Sequence, residues 1–175
     1  DIPDNDNLCD AIPLVFNADC TSGYNSAATI EENEPSGDCW FGADASTSVW
    51  YSFVAPPSGN VTLTTDFETD LTDTQLGVYE LTGDCSDLST LVEIGCDEDG
   101  GTLVDYNSYV ELTDLVGGTT YYVQVDGYND DAGDFCIAAL ADACSDFVVS
   151  PADYVQEECV SAVPDVAAAE ATIGY

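Results

Sequence analysis

Residues 97–101 read Asp97-Glu98-Asp99-Gly100-Gly101, three consecutive carboxylates followed by two glycines that let a loop close around an ion. Calcium takes about six to eight oxygen ligands, several of them carboxylates converging from a flexible loop. Asp97, Glu98 and Asp99 are therefore candidate calcium ligands. Asp4 and Asp6 in the entry segment form a second candidate, and Asp126, Asp130 and Asp131 around Gly127 form a third. The bland reading is that each is a solvated acidic loop, since 35 carboxylates place clusters by chance alone. No D-x-[DN]-x-[DN]-G loop is complete, so the EF-hand class is excluded.

Other chemistries fail on residue type. The chain has no His, Lys or Arg, so Ser-His-Asp, Cys-His and Ser-Lys catalysis are impossible. A glycosidase needs only two carboxylates, but one must be an acid of raised pKa in a cleft, and the sequence gives no sign of one. The expectation is a protein that is not an enzyme. Trp40, Trp50, Tyr106, Tyr109 and Tyr128 could form a sugar-binding platform, against the competing role of Trp and Tyr in filling sandwich cores. Asn60-Val61-Thr62 is a glycosylation sequon at a strand start.

The net charge of −35 contrasts with ordinary domains, where about 25% of residues are charged and both signs are mixed. A surface without a cation cannot neutralise phosphates, which excludes nucleic acid and anionic lipid surfaces. It attracts metal cations, above all calcium outside the cell. Hydrophobic residues make up 45% and aromatics 10%, too much of both for a disordered acidic tail. A chain of 175 residues can bury about 70% of its unfolded surface as one domain. No apolar run reaches the roughly 18 residues that a spanning helix needs. Methionine is absent even at position 1, so Asp1 reads as a processed N-terminus whose export signal is gone.

Eight cysteines, Cys9, Cys20, Cys39, Cys85, Cys96, Cys136, Cys144 and Cys159, suit four disulfides in an oxidising, extracellular setting. Zinc wants CxxC-type spacing, often with His, and neither occurs. Sequence does not choose among the possible pairings. Proximity suggests Cys20 with Cys39, Cys85 with Cys96, Cys144 with Cys159, and Cys9 with Cys136 tying the ends of the domain.

The elements that must position these residues are strands. Period-2 alternation marks Ser48–Ala55, where Val49, Tyr51 and Phe53 oppose Trp50 and Ser52. Asn60–Thr65 sets Val61 and Leu63 against Thr62 and Thr64, and Thr119–Asp126 sets Tyr121, Val123 and Val125 against Tyr122, Gln124 and Asp126. Leu14–Asn17, Gln75–Glu80, Leu91–Cys96, Ser108–Thr113 and Phe135–Leu140 are further candidates. Turns at Pro56-Pro57-Ser58-Gly59, Gly100-Gly101 and Gly117-Gly118 separate them. Eight short strands predict an all-β antiparallel sandwich or jelly roll over 1–141. Residues 142–175 form an extension. In it Val166–Thr172 reads as a short helix capped by Asp165, or Ala167, Ala169, Ala171, Ile173 and Tyr175 read as one face of a strand.

Five short motifs in order resemble the bacterial pre-peptidase C-terminal (PPC-like) domain. They are Asp4-Asn5-Asp6-Asn7 with Ala11-Ile12-Pro13-Leu14, Trp50-Tyr51-Ser52-Phe53-Val54-Ala55-Pro56, Asp73-Thr74-Gln75-Leu76-Gly77-Val78-Tyr79, Gly95 to Gly100, and Gly118 to Gly127. The Cys-rich form is similar to versions in large surface proteins of Bacteroidetes-type bacteria. The resemblance implies a jelly-roll sandwich appended to secreted bacterial proteins, often calcium-binding and non-catalytic. It also implies that Asp73 lies near the Asp97–Gly101 loop and joins its ligands. The absence of basic residues and the extension depart from the family's pattern.

The expected function is a secreted, calcium-binding structural module, a subunit of an extracellular fibre, adhesin or surface assembly. An open sheet edge invites a strand from a neighbouring chain. Either the extension or Asp1–Asn7 would supply that strand in a homopolymer. The alternative is a carbohydrate-binding accessory domain of a larger secreted enzyme.

Overall fold

A computed structural model describes residues 1–41 and 44–142. Among these residues nine strands follow one another: β1 Ile12–Pro13, β2 Thr21–Tyr24, β3 Val49–Val54, β4 Val61–Thr64, β5 Thr74–Leu81, β6 Leu91–Asp97, β7 Tyr109–Leu112, β8 Thr120–Gly127 and β9 Asp134–Ala141. Among the described residues the only helical elements are three single 3-10 turns, at Leu8–Asp10, Leu88–Thr90 and Tyr128–Asp130.

The strands form two sheets, one ordered β1-β3-β8-β5-β6 and the other β2-β9-β4-β7. From β2 onward, successive strands alternate between the sheets apart from β5 to β6, and every pairing is antiparallel. Two interleaved four-stranded orders, 3-8-5-6 and 2-9-4-7, are the wrapping of a jelly roll. β1 is added in parallel at the edge of β3, with Ile12 opposite Tyr51.

Alternation places the core. Val49, Tyr51 and Phe53 of β3, Val61 and Leu63 of β4, Leu76 and Val78 of β5, and Tyr121, Val123 and Val125 of β8 all point between the sheets. Phe53 stacks on Tyr121 with ring centroids 5.7 Å apart. Each such side chain, fully withdrawn from water, contributes about 1.5–3 kcal/mol.

The opposite face of the five-stranded sheet is covered too. Trp50 and Tyr79 join Leu8 and Leu88 in a second apolar cluster. Asn5 helps hold the N-terminal segment there: its Nδ2 donates to the Trp50 carbonyl and its own carbonyl accepts from the Trp50 amide, both at 2.9 Å. The β2–β3 connection also lies on this face, where the Trp40 indole N–H donates to the Leu76 carbonyl at 3.1 Å.

The pairings expected from proximity are corrected. The disulfides join Cys9 to Cys85, Cys20 to Cys136 and Cys39 to Cys96. Each follows spatial adjacency in the jelly roll. Cys20 enters β2, whose partner β9 carries Cys136 opposite Ser22. Cys9 lies on the turn packed over Trp50 beside Cys85. Cys39, in the β2–β3 connection, reaches β6 at Cys96, with the two Cα atoms 6.0 Å apart. Sequence separations of 76, 116 and 57 residues show why nearness in the chain misleads. The Cys144–Cys159 bridge and the expected strand or helix of the extension lie outside the described residues.

Two strand expectations also change. Leu14–Asn17 forms no strand, only an isolated bridge between Phe16 and Ala139. The strand there is the two-residue β1, where Pro13 suits an edge because proline has no amide to donate. β2, Thr-Ser-Gly-Tyr, was not among the expected strands.

Candidate functional site

The Asp97–Gly101 loop, the start of β5 and the turn after β8 meet at one end of the sandwich. A buried polar plug holds them together. The Ser108 hydroxyl donates to the Thr74 carbonyl at 2.6 Å and lies 3.1 Å from the Asp97 carbonyl, while Asn107 Nδ2 donates to the Thr65 and Phe67 carbonyls at 3.0 and 3.1 Å. Thr65, Thr74, Asn107 and Ser108 are all fully buried. Such satisfied networks rigidify the backbone around them. On either side of Asp73, the Thr74 amide donates to the Tyr106 carbonyl at 3.0 Å and the Tyr128 amide to the Asp73 carbonyl at 3.1 Å.

The Asp73 carboxyl is pushed up to about 6, first by burial and then by the charges of Asp99, Glu98 and Asp131. Among the described residues no side-chain hydrogen bond of Asp73 offsets this push. The first and third acidic clusters of the sequence therefore meet here: Asp131 belongs with Asp73, Glu98 and Asp99. Asp126 does not. Fully buried on the outer face of β8, it accepts from the Ser46 amide at 2.6 Å, the Thr47 amide at 3.1 Å and the Gly127 amide at 2.8 Å. Its carboxyl is still raised by burial, which outweighs those donors.

Asp97 and Glu98 differ from Asp99 in being engaged with backbone. Asp97 Oδ2 accepts from the Gly100 and Tyr109 amides, both at 2.8 Å, and so shapes the loop it begins. Glu98 Oε2 accepts from the Phe41 amide at 2.5 Å. Asp6 turns both oxygens to Thr29, at 2.6 Å to its amide and 2.7 Å to its hydroxyl, and Asp4 is exposed. Among the described residues no three acidic, Cys or His groups converge on one point that could hold a metal ion. Asp99, Glu98 and Asp131 thus act on Asp73 through their charge and do not form a ligand set.

Two carboxylates of consequence carry no mark in the sequence. Asp66 accepts from the Thr102 amide at 2.7 Å, the Val104 amide at 2.8 Å and the Leu103 amide at 2.9 Å, fastening the loop beside Asp73. Burial would raise its carboxyl, but these amides win and hold it below the usual range. Glu34 belongs to the β2–β3 connection, and burial pushes it up to about 7. Glu34 closes the run Glu31-Glu32-Asn33-Glu34, which has no glycine to mark it as a loop around an ion, and the donors of Asp66 come 36–38 residues later.

The aromatic candidates separate into two groups. Trp50 is fully buried and Trp40 nearly so, whereas Tyr106 is 59% exposed and Tyr109 40% exposed at the rim of the Asp97 loop. Tyr128 is half-buried. Asn60 is exposed at the start of β4, and its Nδ2 donates to Asp142 Oδ2 at 3.3 Å.

No family model matches the chain, and no curated protein does. Among solved structures it is similar to the pre-peptidase C-terminal domain of a collagenase from Bacillus anthracis. The two share 12% identity with a TM-score of 0.40, over 74% of this chain and 93% of that one.

Proposed function

We propose that this chain is a non-catalytic extracellular module that binds calcium and serves as a structural subunit of a fibre, adhesin or other surface assembly. The observation that carries the calcium reading is Asp73, pressed by Asp99, Glu98 and Asp131 in a chain with no Lys, Arg or His. Nothing within the chain's side chains can neutralise that cluster. Protonation or an external cation must do it, and an all-oxygen carboxylate set on loops suits calcium. Three disulfides among the described residues favour an oxidising compartment.

The N-terminal segment from Pro3 to Asp10 packs on its own domain, which supports the extension, of the two segments, as the one that would carry self-association. Exposed Tyr106 and Tyr109 favour a second reading, carbohydrate binding at the same end of the molecule.

Thermal unfolding with calcium and with chelator tests the first reading. At millimolar calcium a site of extracellular affinity stabilises by on the order of 1 kcal/mol. Asp99→Asn should remove most of the calcium-dependent shift, and Asp84→Asn should leave it intact. An identical melting temperature with and without chelator sinks the calcium reading. Size measurement of native material separates the rest: a regular polymer supports the structural subunit, a sugar-binding monomer the accessory domain.

A further inference from the structure

The connection between β2 and β3 crosses the outer face of the five-stranded sheet as a strap, and one carboxylate fastens it. Glu34 Oε1 accepts from Gln124 Nε2 of β8 at 3.0 Å and from the Ser48 hydroxyl at the entry to β3. Its Oε2 accepts from the Glu31 amide at 2.7 Å, closing a turn of the strap on itself. Gln124 Nε2 also donates to the Pro35 carbonyl at 2.9 Å, and its Oε1 accepts from the Tyr79 hydroxyl at 3.0 Å. The chain Tyr79–Gln124–Glu34–Ser48 thus ties three strands' worth of sheet to one residue of the strap.

We propose that Glu34 is a proton-operated catch: protonated, it fastens residues 31–37 to the sheet, and ionised, it loosens them, while Asp38 to Phe41 stay held through Glu93, the Cys39–Cys96 disulfide, the Trp40 indole and Glu98.

The groups around it argue for this. On the strap itself Glu31 repels it, and Glu31 is pressed in turn by Asp6 and Asp10 of the N-terminal segment. From β5 comes the Tyr79 phenol, which burial and the charges of Glu93, Glu34 and Asp38 keep neutral. From β6 comes Glu93, which accepts from the Asp38 amide at 2.8 Å. β8 adds Asp126, two residues beyond Gln124 on the same face. Every titratable neighbour is an acid or a phenol, and no cation exists in the chain to pair with an ionised Glu34. Water is excluded beneath the strap, where Trp50, Tyr79 and Gln124 are fully buried, and Glu34 itself is half-buried. An ionised carboxylate in this position has donors but no counter-charge, and burying an uncompensated charge is costly. A protonated one keeps its contacts, because the Ser48 hydroxyl can turn from donor to acceptor.

The sign follows from burial raising the group to about 7 from an ordinary 4.5. A raised carboxyl binds its proton more tightly folded than unfolded. Its contribution is therefore complete below 4.5 and lost as pH rises through about 7. The strap is closed in mild acid and loosened above neutrality.

Hydrogen exchange on the full chain, corrected for intrinsic rates, reads this directly. Between pH 5.5 and 8.5 the protection of residues 31–37 should fall by about 30-fold relative to the β4 and β9 amides. Glu34→Gln keeps an oxygen for Ser48 and Gln124 and carries no charge, so its strap should lose that pH dependence. A variant strap as pH-dependent as the native one overturns the proposal. Carboxyl-carbon NMR titration of the unsubstituted protein gives a second reading: a Glu34 midpoint near 7 supports the catch, and one in the ordinary carboxylate range overturns it.

Discussion

Asp66 and Asp73 flank the same loop end of the sandwich, and their environments push them in opposite directions. Asp66 faces the Thr102, Leu103 and Val104 amides and is held below the usual carboxylate range. Asp73 faces Asp99, Glu98 and Asp131 and rises to about 6. Seven residues separate them in sequence. In a chain without basic side chains, backbone N–H groups are the main internal means of stabilising negative charge. A carboxylate that captures several becomes a structural fastener, as Asp66 and Asp97 do. One that captures none becomes a place where charge accumulates, and a cation from outside is the remaining remedy.

The largest effect that would break this contrast is at Asp66. Asp66→Ala leaves the amides of Thr102, Leu103 and Val104 without their acceptor. Unfolding by denaturant should show a loss on the order of 2–4 kcal/mol at neutral pH, the range for orphaned donors and a lost charged acceptor. The penalty should shrink in acid. A depressed carboxyl contributes stability that is present above its unfolded value of 3.8 and lost as pH falls through its lower folded value. If Asp66→Ala costs no more than Asp131→Ala, backbone capture is not what distinguishes the two carboxylates.

Asp73 should behave with the opposite sign and a smaller size. Its raised carboxyl contributes stability that is present below 3.8 and lost as pH rises through about 6. Asp73→Asn should therefore stabilise the calcium-free protein at pH 7.5, by about 1 kcal/mol once solvent screening of this partly exposed group is allowed for. At pH 4 the variant and the native protein should melt alike. With calcium present the gain should vanish or reverse, since the substitution then removes a ligand. A variant less stable than the native protein in chelator at pH 7.5 would mean that Asp73 is a fastener like Asp66.

What could be read in advance follows from how local each signal is. The alternation of Val49, Tyr51 and Phe53 against Trp50 is a property of one strand, and it placed those residues in two different apolar clusters correctly. β2 has no such run: Thr21, Ser22 and Gly23 give no period, and the strand exists because β9 offers it a ladder. The disulfides obey strand order in the sheets, which no spacing rule contains. At the candidate site, Asp97, Glu98 and Asp99 stood out as a run, and Asp73 was placed beside them only through the family resemblance. That Asp97 spends one oxygen on Gly100 and Tyr109, and that Asp131 joins the cluster while Asp126 leaves it, depends on side-chain directions at the ends of β6 and β8. Asp66 and Glu34 were silent because their partners are remote backbone and a buried glutamine.

The smallest effect sharpens the comparison by asking whether the push on Asp73 is local. The chain's overall charge of −35 makes a background of like charge, and that background must be separated from the neighbours. After burial, the contributions to Asp73 rank Asp99, then Glu98, then Asp131. Asp99→Asn, Glu98→Gln and Asp131→Asn should lower the Asp73 titration midpoint in that order, as followed by carboxyl-carbon NMR without calcium. Each step should be a fraction of a pH unit, since burial supplies the larger part and remains. Salt separates local from global further. The screening length is about 10 Å at 0.1 M, so raising ionic strength from there should erase the influence of distant carboxylates before that of these three. Asp84→Asn is the control, because Asp84 is occupied by the Ser86 amide and hydroxyl at 3.0 and 2.7 Å and does not act on Asp73. If Asp84→Asn lowers the midpoint as much as Asp99→Asn does, Asp73 is reporting the charge of the whole molecule, and the acidic end of the sandwich loses its claim to be a cation site.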